Sequence, residues 1–367
     1  MHYNKLFFTT ILLLVFTNAF AQFHTLKIPK PSNEVVETQT LGVTDITISY
    51  GSPSVNKRDV WNDANVIPKN GNPIPWRGGA NMNTTIEFST DVFIEGQLLK
   101  AGIYGFHIIP KENAYTLLFA HNSNLWGSYY LNIEKDVTLQ VDVSSTTCPF
   151  SEKLDYEFLN WKEDSVTIGL EWADKRIPFI VSVDLNKTVV ESFRSELRGI
   201  NTYHWQAWND AANWCLNHDT NLEEALSWVN RSINGGYHGF AANKNFTNLS
   251  TKANLLRELN KNEEFLTTIK ELEEVDYSER EAFHFGRSLL NVKEYQLALN
   301  FAIKSNKKYP NSWVLIINEG LSKYFLGNVK EAIEDIKTVI TLSPEGYHER
   351  FKEVIEEMKA GTYKIPN

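Results

Sequence analysis

Glu87, in the run T-T-I-E-F, and His107, in G-I-Y-G-F-H-I-I-P, are the residues of this sequence best suited to acid–base chemistry. Both sit among alternating apolar residues, and side chains two apart on a strand share a face. Ile86 and Phe88 then point one way and Glu87 the other, while Tyr104, Phe106 and Ile108 share a face opposite His107. If the two strands pair in register, Glu87 and His107 project from one non-core surface, where a carboxylate and an imidazole could exchange a proton. Arg58, Arg77, Asn81 and His121 stand nearby in chain order, a polar set suited to an anion or a sugar, with Trp76 or Trp126 as a stacking platform. These eight residues form the candidate ligand-binding set. A competing expectation is architectural. Gly78 and Gly79 supply positive φ in a turn, Arg77 and Glu87 form a cross-strand ion pair of small net value, and Trp76 and Trp126 close the end of a sandwich.

Other chemistries lack their signatures. Y-G-S-P-S and W-G-S miss the second glycine of the G-x-S-x-G nucleophile elbow. His107 and His121, even with Glu87, show neither H-x-H nor H-E-x-x-H spacing, so no metal and no cofactor is expected. I-N-G-G-Y-H-G-F, around His238, lacks the strand that precedes a phosphate-binding loop and reads as a connector. The sequence therefore assigns no catalytic residue and leans away from an enzyme.

The elements that must position these residues come in two kinds. From about residue 40 to 185, short runs such as I-T-I-S-Y-G, Y-T-L-L-F-A and V-T-L-Q-V-D-V alternate with period two between Gly, Pro, Asn and Asp. Eight or more such runs predict an all-β antiparallel sandwich or jelly roll over residues 40–190, preceded by an extension at 22–39. Beyond residue 200 the period becomes helical. Leu222, Ala225, Leu226, Val229 and Ile233 line one face of a helix. Gly286 and Gly320, Ala298 and Ala332, and Pro310 and Pro344 each lie 34 residues apart. That is the tetratricopeptide period, and it predicts repeats at 279–312 and 313–346 within an all-α array over 200–360. Such arrays dock protein segments, so a protein partner is expected, with Trp208 and Tyr324 as candidate groove residues. Cys148 and Cys215 fall in different predicted domains and read as buried thiols rather than a bridge.

The chain opens M-H-Y-N-K-L-F-F-T-T-I-L-L-L-V-F-T-N-A-F-A-Q, in which Lys5 precedes an apolar core and Ala19-Phe20-Ala21 has a small-x-small form. This is the layout of a secretory signal peptide cleaved after Ala21, and the product is exported to the periplasm or beyond. No later stretch reaches the roughly 18 apolar residues of a membrane span. Loss of Lys5 moves the formal charge from −9 to −10. An acidic body argues against nucleic acid and anionic membrane surfaces, which reward lysine and arginine clusters.

Five ordered motifs carry a resemblance: Ile48 to Ser54 (I-S-Y-G-S-P-S), Trp76 to Asn81 (W-R-G-G-A-N), Thr84 to Phe88 (T-T-I-E-F), Ala101 to Gly105 (A-G-I-Y-G) and Trp126 to Ser128 (W-G-S). Over residues 40–185 the chain resembles the secreted family called domain of unknown function 2911, known chiefly from Bacteroidetes. Some of its members continue into a helical tail of tetratricopeptide character. The resemblance implies a β domain and a secreted location and carries no established reaction. Met82 stands where many relatives have glutamate, and Leu139 to Ser145 departs from their L-R-V-x-V-K-P, so a carboxylate and two cations are missing. The resulting reading is a secreted binding or scaffold protein. Its β domain recognises or stabilises an envelope component, a glycan or other small ligand among the choices, and its helical repeats dock a protein. The alternative is an envelope hydrolase or carbohydrate-active enzyme using Glu87 and His107.

Overall fold

A computed structural model of the chain describes residues 29–111 and 114–365; the expected leader, with its expected cleavage after Ala21, lies outside the described residues. The chain divides after Val183 into two compact units. Among its described residues the first holds ten strands: β1 (Asn33–Leu41), β2 (Thr44–Ser52), β3 (Thr84–Phe88), β4 (Val92–Ile94), β5 (Gln97–Leu99), β6 (Gly102–Pro110), β7 (Tyr115–Ala120), β8 (Val137–Val143), β9 (Thr146–Leu159) and β10 (Ser165–Ser182). They form a six-stranded sheet in the order β1-β2-β3-β6-β7-β8 and a four-stranded sheet in the order β5-β4-β10-β9. Every named pairing is antiparallel. The alternation is what makes two faces. Ile46, Ile48, Ile86, Phe106 and Ile108 turn inward from the larger sheet, and Ile168, Leu170, Phe179 and Val181 meet them from the smaller one, each at most 1 % exposed. Phe106 stacks on Phe179 with ring centroids 5.7 Å apart, which puts aromatic contacts at the middle of the sandwich.

One boundary is corrected. Residues 33–39 are not an extension. They pair residue for residue with β2, from Asn33 opposite Ser52 to Leu41 opposite Thr44. The apolar content there is low because β1 is an edge strand, so a period-two reading has little to hold.

The second unit is helical: α1 (Leu185–Glu196), α2 (Trp205–Asn217), α3 (Leu222–Asn234), α4 (Phe246–Glu258), α5 (Asn262–Leu272), α6 (Glu279–Asn291), α7 (Tyr295–Lys308), α8 (Trp313–Phe325), α9 (Val329–Leu342) and α10 (His348–Ala360). From α6 to α8 the starts advance by 313 − 279 = 34 residues, and from α7 to α9 by 329 − 295 = 34. The repeated small residues sit where helices touch. A Cβ on Gly286 would come within 2.7 Å of the Asn318 amide nitrogen, and one on Gly320 within 3.1 Å of Asp335 Cβ. Ala298 and Ala332 are fully buried. Pro310 and Pro344 follow the ends of α7 and α9, where a residue without an N–H cannot prolong the helix. Among the described residues no helix is long and apolar enough to cross a membrane.

Candidate functional site

The signature motifs of the β domain converge on the stretch from Trp76 to Asn83. Trp76 exchanges two 2.7 Å backbone hydrogen bonds with Ile108, prolonging the pairing of β6 beyond the end of β3. Gly78, at φ +61°, leaves its carbonyl to accept from the buried Tyr156 hydroxyl at 2.8 Å, and a Cβ there would lie 2.7 Å from that hydroxyl. Ala80 N–H donates to the Gly51 carbonyl at 3.0 Å, so the first two motifs meet backbone to backbone. Asn83 is buried. Its carboxamide oxygen accepts from Leu125 N–H at 2.8 Å and its own N–H donates to the Leu125 carbonyl, which clamps the 121–131 loop over the outer face of the larger sheet. Gly127, at φ +65°, makes room for the Arg77 guanidinium, and Ser128 closes on His107.

That loop decides the fate of the acid–base pair. The register puts Thr85 opposite Gly105 and Glu87 opposite Ile103, so Glu87 and His107 do share a face. They do not meet. His107 lies four residues beyond Ile103, ~13 Å along the strand at ~3.3 Å per residue. Glu87 is exposed, whereas His107 is fully buried beneath the loop, its Nδ1 2.7 Å from Ser128 Oγ. Burial first, and the nearby Arg77 charge second, push the imidazole down to about 4, so it is neutral at pH 7. Neutral and sealed, it cannot serve solvent-borne substrate. The expectation of an open non-core surface at His107 fails because a connection between strands covers it, which alternation within β6 does not encode.

The other candidates separate as well. Trp76 is 4 % exposed and stacks on Trp172 at 6.2 Å with an interplanar angle of 12°, so it is core and no platform for a ligand. Trp126 is 58 % exposed and remains available. His121 is exposed and sits 4.0 Å from Asp136, in no group of three or more metal-ligating side chains among the described residues. No ion pair joins Arg77 to Glu87 among the described residues; the Arg77 guanidinium donates to the Asn81 carbonyl and lies over the Tyr129 ring at 5.5 Å. What the fold does bring together is Arg58, Arg77 and Asn81, with the edge of Trp76, in one open cleft of about 660 Å³. Gly79, Ala80, Glu152 and Trp172 complete much of its wall. A neighbouring cleft of about 210 Å³ is lined by Asn81, Met82, Asn83, Thr85, Ser123 and Asn124 among others.

A second set of titratable groups escaped the sequence reading because it depends on β1. Glu37 faces Tyr50, Asp155 and Glu157, where the edges of the two sheets approach, and Tyr50 donates its hydroxyl to Asp155. Burial, then the charges of Asp155 and Glu157, raise Glu37 to about 7. Neither Glu37 nor Asp155 lines either cleft. A carboxyl raised in the folded state stabilises the protein below its unfolded value near 4.5 and loses that contribution as pH climbs towards 7. Glu37→Gln is therefore expected to match the parent in urea melts at pH 4.5 and to exceed it at pH 8 by about 1–2 kcal/mol, allowing for solvent screening. Equal stabilities at pH 8 would show that Glu37 carries no penalty.

In the helical unit, Trp208 and Tyr324 are both engaged within the fold, and neither lines the hollow between α2, α4 and α6. The Trp208 indole N–H donates to the Thr202 carbonyl at 3.1 Å, with Arg231 over its ring at 5.2 Å. Tyr324 packs edge-on between Phe325 and Tyr363. The helical groove lies elsewhere. Asn213 of α2, Phe246, Ser250 and Asn254 of α4, and Arg280, His284 and Ser288 of α6 line a hollow of about 280 Å³. These are first helices of successive pairs; α4 and α6 start 33 residues apart, α2 and α4 start 41 apart, and residues from all three line the one hollow. Both cysteines are free thiols, Cys148 on β9 and Cys215 buried on α2.

Residues 31–181 match the family model described as a protein of unknown function, DUF2911. Among solved structures, a tetratricopeptide repeat protein from Parabacteroides merdae is 17 % identical over 48 % of this chain and 66 % of that one, at a TM-score of 0.35. MamA, from residue 41 on, of Desulfovibrio magneticus RS-1 is 16 % identical over 44 % of this chain and 97 % of that one, at 0.29. YrrB, described as a TPR protein with an unusual peptide-binding site, is 17 % identical over 46 % of this chain and 99 % of that one, at 0.26. None of the curated proteins matches the chain.

Proposed function

Taking the chain as a DUF2911 domain continued by tetratricopeptide-like helical repeats, we propose that it is an exported binding scaffold. The helical repeats dock a protein segment, and the β domain recognises an envelope component. The observation that carries the reading is the hollow across α2, α4 and α6. Asn213, Asn254, Ser250 and Ser288 offer donors and acceptors at the spacing of stacked helices, and Phe246 and Phe285 offer an apolar floor. An extended peptide needs both, since its backbone groups must keep hydrogen bonds when it leaves water. The leader at residues 1–21 supports export. The separation of Glu87 from His107 removes the motive for a hydrolase.

The test is a display library of random peptides panned against the mature full chain. Enriched peptides are expected to bind the parent and to lose at least about tenfold in affinity to Asn254→Ala combined with Arg280→Ala, each lost polar contact costing about 1 kcal/mol or more. Peptides that bind the double variant as well as the parent would place docking outside the hollow. A library that yields no binder would count against the helical unit as a docking module.

A further inference from the structure

The larger cleft of the β domain is electrostatically unfinished. Arg58 and Arg77 both line it, and among the described residues neither forms an ion pair. Arg58 spends Nε on the Val55 carbonyl at 3.1 Å and Nη2 on the Ser54 carbonyl at 2.6 Å. Those bonds fix one edge of the guanidinium and leave Nη1, with the second Nη2 proton, as an end-on fork. Such a fork matches the two oxygens of a carboxylate. Arg77 is held by the Asn81 carbonyl and the Tyr129 ring, so its orientation is set before any ligand arrives. The one acidic side chain among the described residues of the wall, Glu152, already accepts from Asn56 N–H at 2.9 Å. Two cations against one anion leave the cleft net positive in a chain whose formal charge is −9.

The rest of the wall narrows the ligand class. Asn56, Asn65 and Asn81 present carboxamides, and Ser32 and Ser54 present hydroxyls. Each is donor and acceptor at once, as the hydroxyls of a sugar ring require. The indole N–H of Trp172, in the same wall, is buried and has no acceptor among the described residues. At about 660 Å³ the cleft is sized for a ligand of a few rings. We propose that it binds the carboxylate of an acidic saccharide, Arg58 taking the carboxylate through its fork and Arg77 adding the second charge. This deepens the reading of the β domain as a recognition module and rests on it, while standing independent of the helical hollow.

Calorimetric titration of the mature full chain tests it with trigalacturonate, neutral trigalactose and inorganic phosphate as probes. Saturable binding of trigalacturonate alone is expected. Arg58→Gln should weaken it at least about tenfold, the loss of one charge-assisted pair. Arg58→Lys should not restore it, because an ammonium has no fork. Arg58 is exposed, so both variants should melt like the parent, which separates lost binding from lost fold. Equal affinity for trigalactose, phosphate bound as tightly as trigalacturonate, or an unchanged Arg58→Gln titration would overturn the proposal. If trigalacturonate fails but another glycan binds in an Arg58-independent way, the recognition reading survives and this one falls. If no glycan binds, both fall.

Discussion

Replacing Gly51 by alanine is expected to cost the β domain about 3–5 kcal/mol, enough to unfold a domain of ordinary stability. The new Cβ would lie 2.2 Å from the Ala80 carbonyl oxygen and 2.9 Å from its carbon. Both obstacles are backbone, and the same two residues are joined by the Ala80 N–H to Gly51 carbonyl bond at 3.0 Å. Relief would require pulling W-R-G-G-A-N off β2, which would also disturb the Arg77 side of the cleft. The control is Gly96, at φ +79° with nothing within 4 Å of a built Cβ. Gly96→Ala bears only the backbone strain, about 1 kcal/mol. Urea unfolding followed through amide exchange at Ile48 and Ile86 separates the β domain's transition from that of the helices. A Gly51→Ala protein as stable as Gly96→Ala would show that the two motifs do not interlock.

His107→Ala should lower the stability of the β domain by about 2–4 kcal/mol at pH 7, through the lost ring volume and the orphaned Ser128. It should leave saccharide binding in the Arg58 cleft in place. The parent's pH dependence follows from the same burial. With the folded imidazole down at about 4 and the unfolded one near 6.5, the unfolded chain holds more protons between those values. The His107 contribution to stability is then complete above pH 6.5 and drains away as pH falls towards 4, by at most about 3 kcal/mol, opposing the Glu37 contribution over the same range. His107→Gln, which cannot charge, should flatten that slope. An unchanged slope would assign the acid sensitivity to other groups.

Much of this was legible in the sequence. The inward set Ile86, Phe88, Tyr104, Phe106 and Ile108 follows from alternation alone, and so does the sharing of one face by Glu87 and His107. The helix starts follow from the 34-residue offsets of Gly, Ala and Pro, because each small residue marks a contact that recurs once per repeat. What failed was whatever depends on a third element. A strand pattern says which side His107 faces and nothing of the 121–131 loop that seals that side. Trp76 resembles a platform in isolation, and becomes core only when Trp172, 96 positions later in the chain, stacks against it. The charges around Glu37 were invisible for the same reason, since Asp155 and Glu157 arrive from β9. The cleft was half legible: Arg58, Arg77 and Asn81 were named from types and neighbourhood, but Glu152 and Trp172 come from distant strands.

The signature residues of the β domain hold its fold together, and His107 is locked into that fold instead of being poised for proton transfer. Nuclear magnetic resonance titration of the His107 ring nitrogens in the mature full chain tests this most directly. A neutral ring that takes up a proton only near pH 4, with Nδ1 held by Ser128 throughout, is the predicted result. A midpoint at 6.5 or above, moving when a ligand is added, would contradict it.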